Sequence, residues 1–300
     1  MNFELLRIVV ALIGTAILAY QDQKTSFIDE KIAYAMIASG LLFNILTFNF
    51  DFILFAVGGA VLIAAIGYFI YKQGQFGAGD ILLFCALQLL LPFAPLGVAK
   101  VANIAPYINT TIYLQVAQMF PFFFSIFITS SVLALVGSSA MYGYKLYKLK
   151  IKWKPDYISL IVLTLAGVIF VYWFGIIEGI VQIHSASIII LAITMAATVF
   201  STSMKEQIMN NVIVRRIAIK QIEDEDILAT EKMDKKLVEK YKLIRVLTAE
   251  NAAKLKKIQI EKRIKLFPVY KNLPRFVPYI LMGLILSLLL ISPVACILFD

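Results

Sequence analysis

The chain has 300 residues, 61% of them hydrophobic and only 16% charged, with a net charge of +9. A soluble domain carries about 45–50% apolar and about 25% charged residues, so a mean hydropathy of +0.85 does not suit a water-facing globule of this size. These values exclude a soluble enzyme, a secreted disulfide scaffold and a disordered tail, and they describe a polytopic membrane protein.

The first apolar run, 3–20, lacks a basic stretch before it and a small-residue cleavage site after it. It therefore reads as a permanent helix rather than a signal peptide. Asp22 follows, in Gln21-Asp22-Gln23-Lys24-Thr25-Ser26-Phe27-Ile28-Asp29. Asp29 stands where a helix N-cap belongs, just ahead of the second run, 32–48, which carries Ser39, Gly40 and Asn44. The third run, 53–71, leads to Phe76-Gly77-Ala78-Gly79-Asp80 and the fourth, 81–99. Runs at 117–143, 157–177 and 186–203 follow; the stretch 157–203 also fits one span plus a re-entrant piece. Phe122, Phe123 and Phe124 are read as packing or lipid-facing aromatics.

Residues 204–275 form the one sizeable polar segment, in which Met233, Leu237, Tyr241, Ile244 and Leu247 recur at three- and four-residue spacings. That pattern predicts one or two amphipathic helices, covering themselves or a neighbouring loop. The alternative is a basic surface held against anionic lipid or a substrate leader. The last run is 276–298. The expected fold is all-α, with about eight spans of roughly 20 residues each and a helical cytoplasmic insert.

Lys24, Lys31, Lys72, the lysines between 145 and 154, and the basic 204–275 segment fall on one side if every run spans once. Lys100, Asp51, Glu178 and Asp300 fall on the other. The positive-inside bias places the basic side in the cytoplasm and both termini outside. It also explains the net charge without nucleic-acid binding.

Ionisable groups at the ends of membrane helices are costly, which makes them functional candidates. Asp22 and Asp80 reach the same depth on the same side in this layout. Two carboxyls a few ångströms apart share a proton, so the ionised one activates a water while the protonated one polarises a carbonyl. Gly77 and Gly79 would give a tight loop able to approach a substrate strand. The other candidates take plainer roles. Glu223-Asp224-Glu225-Asp226 lacks the spacing of a calcium loop and reads as a solvated helix start. His184 has no partner ligands in the sequence. Cys85 and Cys296 lie far apart in apolar runs, giving neither a disulfide framework nor a metal quartet.

These residues resemble the type IV prepilin and preflagellin peptidases, membrane aspartic proteases with a Gly-x-Gly-Asp signature. Gly77-Ala78-Gly79-Asp80 is similar to that signature. Asp22 with Ile28-Asp29 resembles the family's first catalytic motif, minus its proline. Leu273-Pro274-Arg275-Phe276-Val277-Pro278-Tyr279, with Gly283, resembles the opening of its last helix. The resemblance covers residues 1–145 and 270–300. It implies a cytoplasmic-face endopeptidase that cuts leaders from pilin-like or archaellin precursors, with Asp22 and Asp80 catalytic and Gly77 and Gly79 shaping the loop. It implies no cofactor and, with two cysteines only, no zinc-type Cys pair; an archaeal-type enzyme that only cleaves is the nearest counterpart. By this reading 1–145 is the catalytic core, 146–203 adds membrane helices, 204–275 is the insert and 276–300 closes the core. The rival readings are a transporter with Asp22 and Asp80 as ion or proton ligands, and a presenilin-like intramembrane protease, whose Pro-Ala-Leu is absent. The expected partners are the precursor and membrane lipid, with no nucleic acid, in the cell membrane.

Overall fold

A computed structural model describes residues 3–25, 28–73, 76–95, 121–177, 185–219, 226–245, 247, 249–262, 264, 266–271 and 273–289. The expectations placed on Ser26, Phe27, Lys100, Glu178, His184, Glu223 to Glu225, Cys296 and Asp300 lie outside those residues. So do the ends of the fourth and eighth apolar runs and the start of the fifth.

The described chain is mostly helical. Four helices come first: α1 (Glu4–Thr25), α2 (Glu30–Ile45), α3 (Phe50–Lys72) and α4 (Ala78–Leu90). Then come α5 (Phe122–Lys148), α6 (Tyr157–Ile177) and α7 (Ser185–Ser203). The buried residues of α1 are Arg7, Ile8, Ala11, Gly14, Thr15, Leu18, Ala19 and Asp22, a stripe at three- and four-residue spacing. α4 packs against α2 and α3, while α11 (Val277–Leu289) packs against α5 and α1. Leu18, Leu83, Leu87, Leu90, Ile126, Ile280 and Leu284 fill the space between these helices.

Helix lengths pick out three or four candidate spans among the described residues. Among the described residues α1, α3 and α5 are long and apolar enough to cross a membrane, and Ile189–Ser203 with Lys205–Ile213, bent by 66°, makes a fourth candidate. α4, the Tyr157–Ile169 part of α6 and α11 are shorter apolar helices. The breaks have local causes. α2 stops after 16 residues, where Leu46 N–H reaches back to the Leu42 carbonyl and Phe48 turns to φ 54°. α4 stops at Leu90 because Leu91 precedes Pro92, which pushes it out of the helical region (φ −130°, ψ 67°).

Residues 204–275 depart from the all-helical expectation. A short helix, α8 (Lys205–Ile208), continues through a π-turn at Met209–Ile213. Then β1 (Val214–Ile217), β2 (Ile227–Leu228) and β3 (Phe267–Tyr270) form an antiparallel sheet in the order β1-β3-β2. Val214 pairs with Tyr270 and Ile217 with Phe267, while Ile227 pairs with Tyr270. Two helices, α9 (Lys235–Tyr241) and α10 (Ala249–Lys262), complete the module. Leu228, Leu243, Leu247, Leu255, Ile258, Phe267 and Val269 are its buried core. The periodic series from Met233 to Leu247 is not one helix, because Lys242 at φ 47° ends α9.

Neighbouring helices run so that one end of the bundle gathers the basic groups. Tyr279 packs on Gly137 and Gly283 on Ser130, so α11 and α5 are antiparallel. The end of α5 with Lys145 and Lys148 therefore lies beside the start of α11. α1 ends at that same end of the bundle, since Val277 at the start of α11 bonds to Asp22.

Candidate active site

Asp22 lies in the last turn of α1, because the helix runs on to Thr25 rather than ending at the apolar run. The residue is buried, 7% exposed, and its Oδ2 accepts the N–H of Val277 at 3.3 Å. Val277 opens α11, where an N–H has no partner within its own helix and is free to serve a carboxylate. Asp80 lies in the first turn of α4, and its Oδ2 accepts the Gly77 N–H at 3.2 Å. A carboxylate at this position also meets the positive end of the helix dipole. The two carboxyls stand close enough to act on each other electrostatically. Thus the last turn of one helix and the first turn of another bring the two predicted aspartates together.

The frame around them is apolar and interlocked. Phe76 meets Phe276 edge-on with ring centres 5.2 Å apart, and Phe84 lies 6.2 Å from the same ring. These contacts pin the Gly77–Asp80 turn against the start of α11. Arg275 donates from Nη1 to Gln23 Oε1 at 3.1 Å, and its charge reaches Asp22. Gln21 Oε1 accepts the Asp29 N–H at 3.2 Å. Asp29 caps α2, taking the Lys31 N–H at 3.0 Å, so it has the capping role expected of it. Cys85 is buried, with Sγ 3.5 Å from the Ala60 carbonyl.

The glycines act differently from the expected tight turn. Gly77 has φ −74° and ψ 150°, an extended conformation open to any residue. Gly79 sits within α4, and what it supplies is room. A Cβ there would stand 2.8 Å from Ile28 Cβ and 3.0 Å from Ile28 Cδ1. Ile28 leads into α2, so the absent side chain of Gly79 lets the start of α2 close on the start of α4.

Sequence reasoning missed Arg7, a guanidinium within the first apolar run. It is 6% exposed and donates to Asn44 Oδ1 at 2.7 Å and to the Leu90 carbonyl at 3.2 Å. It also lies over the rings of Phe43 and Phe52, at 5.7 and 5.3 Å. Arg7 precedes Asp22 by fifteen positions on the same helix, roughly 22 Å at 1.5 Å per residue. It marks the opposite end of the bundle. Its signal was legible, since a charge inside an apolar run is rare unless it is paired.

Residues 9–138 match the type IV leader peptidase family. Over 149 residues the chain is 28% identical to a prepilin peptidase, EppA, of Methanothermobacter thermautotrophicus. The alignment takes in 48% of this chain and 36% of that protein, so the match spans about a third of the relative's length. No solved structure matches. The resemblance drawn from Asp22 and Gly77-Ala78-Gly79-Asp80 is borne out over the matched stretch, which contains both aspartates.

Proposed function

We propose that the protein is a membrane-embedded aspartic endopeptidase that removes the short N-terminal leader of type IV pilin-like or archaellin precursors at the cytoplasmic face. The observation that carries this reading is the meeting of Asp22 and Asp80 from two helix ends. The family match over 9–138 and the prepilin peptidase relative support it.

The chemistry follows from the pair. One aspartate is ionised and takes a proton from a water as its oxygen attacks the scissile carbonyl. The other is protonated and donates to the carbonyl oxygen, which becomes a hydroxyl of the tetrahedral intermediate. Collapse breaks the C–N bond: the amine leaves with the proton the first aspartate took up, while a hydroxyl of the intermediate re-forms the carbonyl and returns its proton to the second aspartate. Each carboxyl has Oδ2 held by a backbone N–H, from Val277 and from Gly77, which fixes its plane before substrate arrives. In this reading the second oxygen of each faces the water. Gly79 keeps Asp80 in place by admitting Ile28.

The proposed layout has eight alternating spans, both termini outside and the basic loops within. Residues 1–145 and 276–300 form the catalytic core, 146–203 add membrane helices and 204–275 project into the cytoplasm. A co-expressed pilin-like precursor should be shortened in membranes holding the wild-type protein. An unshortened precursor at normal abundance of the protein would refute the assignment.

A further inference from the structure

The module between Val214 and Tyr270 reaches both halves of the proposed dyad. β3 ends at Tyr270, and seven residues further on, α11 opens at Val277, which holds Asp22. On the other half, Arg245 lies between α9 and α10 and donates from Nη1 to the carbonyl of Gln73 at 3.2 Å. Gln73 caps α3, seven residues before Asp80 in the chain. The same guanidinium meets Glu231 Oε2 from Nη2 at 3.4 Å and the Tyr270 hydroxyl oxygen, also at 3.4 Å. It lies over the Tyr270 ring at 5.9 Å, and the Tyr270 hydroxyl donates to Glu231 Oε1. Burial, then the Glu231 carboxylate, push the Tyr270 hydroxyl up to about 12, so it stays a donor throughout the physiological range. The planar fork spreads its N–H groups over separate nitrogens, so Nη1 serves the carbonyl while Nη2 serves the carboxylate and the hydroxyl.

On the peptidase reading above, we propose that Arg245 is a positioning residue: it fixes the turn carrying Asp80 and, through Glu231 and Tyr270, ties that turn to the strand that leads to Val277 and Asp22. The insert then sets the separation of the two carboxyls rather than merely covering the membrane face. The Arg245–Glu231 pair is 40% exposed on both sides, and such pairs add little to overall stability. A misplacement of about 1 Å in a catalytic group costs about 100-fold in rate. Loss of Arg245 should therefore alter catalysis far more than folding.

The test uses the full chain in vesicles with a full-length type IV pilin precursor as probe. Arg245→Ala and Arg245→Lys should each lower kcat by roughly 10- to 100-fold with KM within about two-fold of wild type. Lysine fails to rescue because its ammonium cannot span the three acceptors. Glu231→Gln and Tyr270→Phe should give smaller losses that add nothing to Arg245→Ala, whereas Lys256→Ala, exposed on α10, should be neutral. Amide hydrogen exchange is the second readout. Arg245→Ala should speed exchange several-fold across residues 76–81 and leave 83–90 unchanged. Should Arg245→Ala fail to accumulate, Glu231→Gln and Tyr270→Phe carry both measurements. Wild-type kcat in the Arg245 variants, or unaltered exchange at 76–81, would overturn the proposal. If wild type cleaves nothing, the peptidase reading fails by itself, and the exchange measurement still decides whether Arg245 holds the turn.

Discussion

Asp22 and Asp80 are each held at one oxygen by a backbone N–H, so the main chain orients both carboxyls. Asn at either position keeps the shape and removes the titration. Asp22→Asn and Asp80→Asn should each lower precursor cleavage by about 10²–10⁴-fold or more, since neither carboxyl can do both jobs. Cleavage and membrane abundance are measured together; normal processing by either variant removes the dyad. Gly79 gives a second residue-level prediction, now on steric grounds. Gly79→Val drives a branched side chain into Ile28, an overpacking that costs about 1–3 kcal/mol and shifts Asp80. Gly58 is the contrast: a Cβ there would meet nothing within 4 Å, and Ala suits a helix interior. Gly79→Val should lose cleavage and Gly58→Ala should keep it, assayed at matched abundance. Wild-type cleavage by Gly79→Val would mean that the α2–α4 contact has no part in placing Asp80.

At the scale of elements, the membrane helices were legible and the module at 204–275 was not. Long apolar runs announce helices because no other open structure satisfies its backbone in lipid. The sheet has strands of four, two and four residues, too short for alternation to show. Its central strand contains Pro268, which argues against a strand because it gives no N–H. Here Pro268 contributes its carbonyl, which accepts the Ala229 N–H at 2.9 Å. The proposed dyad was legible because two acidic residues flanked apolar runs. The Val277 N–H was not, since a backbone donor leaves no mark on composition. Arg7 ties α1 to the ends of α2 and α4 through Asn44 and Leu90. Hydrogen bonds between membrane helices are worth about 0.6 kcal/mol on average and up to about 1.7. A double-mutant cycle of Arg7→Met and Asn44→Ala, read by unfolding in mixed micelles, should give a coupling of about 1 kcal/mol. Precursor cleavage per folded molecule should change little, because Arg7 lies at the far end of α1. Zero coupling would show that the contact adds nothing to stability.

For the whole molecule, the decisive relation is that Asp22, Asp80 and the 214–270 module share one end of the bundle. Arg245 touches Gln73 at the end of α3, and β3 ends seven residues before Val277, which bonds to Asp22. This relation does not depend on how many helices cross the membrane. Lys24, Lys72, Lys145 and Lys148 close their helices at that same end, and on the positive-inside bias it is the end proposed to face the cytoplasm. Phe48, 87% exposed in the turn between α2 and α3, lies at the other end. In a background with Cys85→Ala and Cys296→Ala, Lys24→Cys and Lys256→Cys should react with an impermeant thiol reagent only after the membrane is opened. Phe48→Cys should react in intact cells. The reverse pattern would place Asp22 and Asp80 outside and refute the proposed cytoplasmic site, and labelling of Lys24→Cys and Lys256→Cys from opposite sides would contradict the Arg245–Gln73 contact itself.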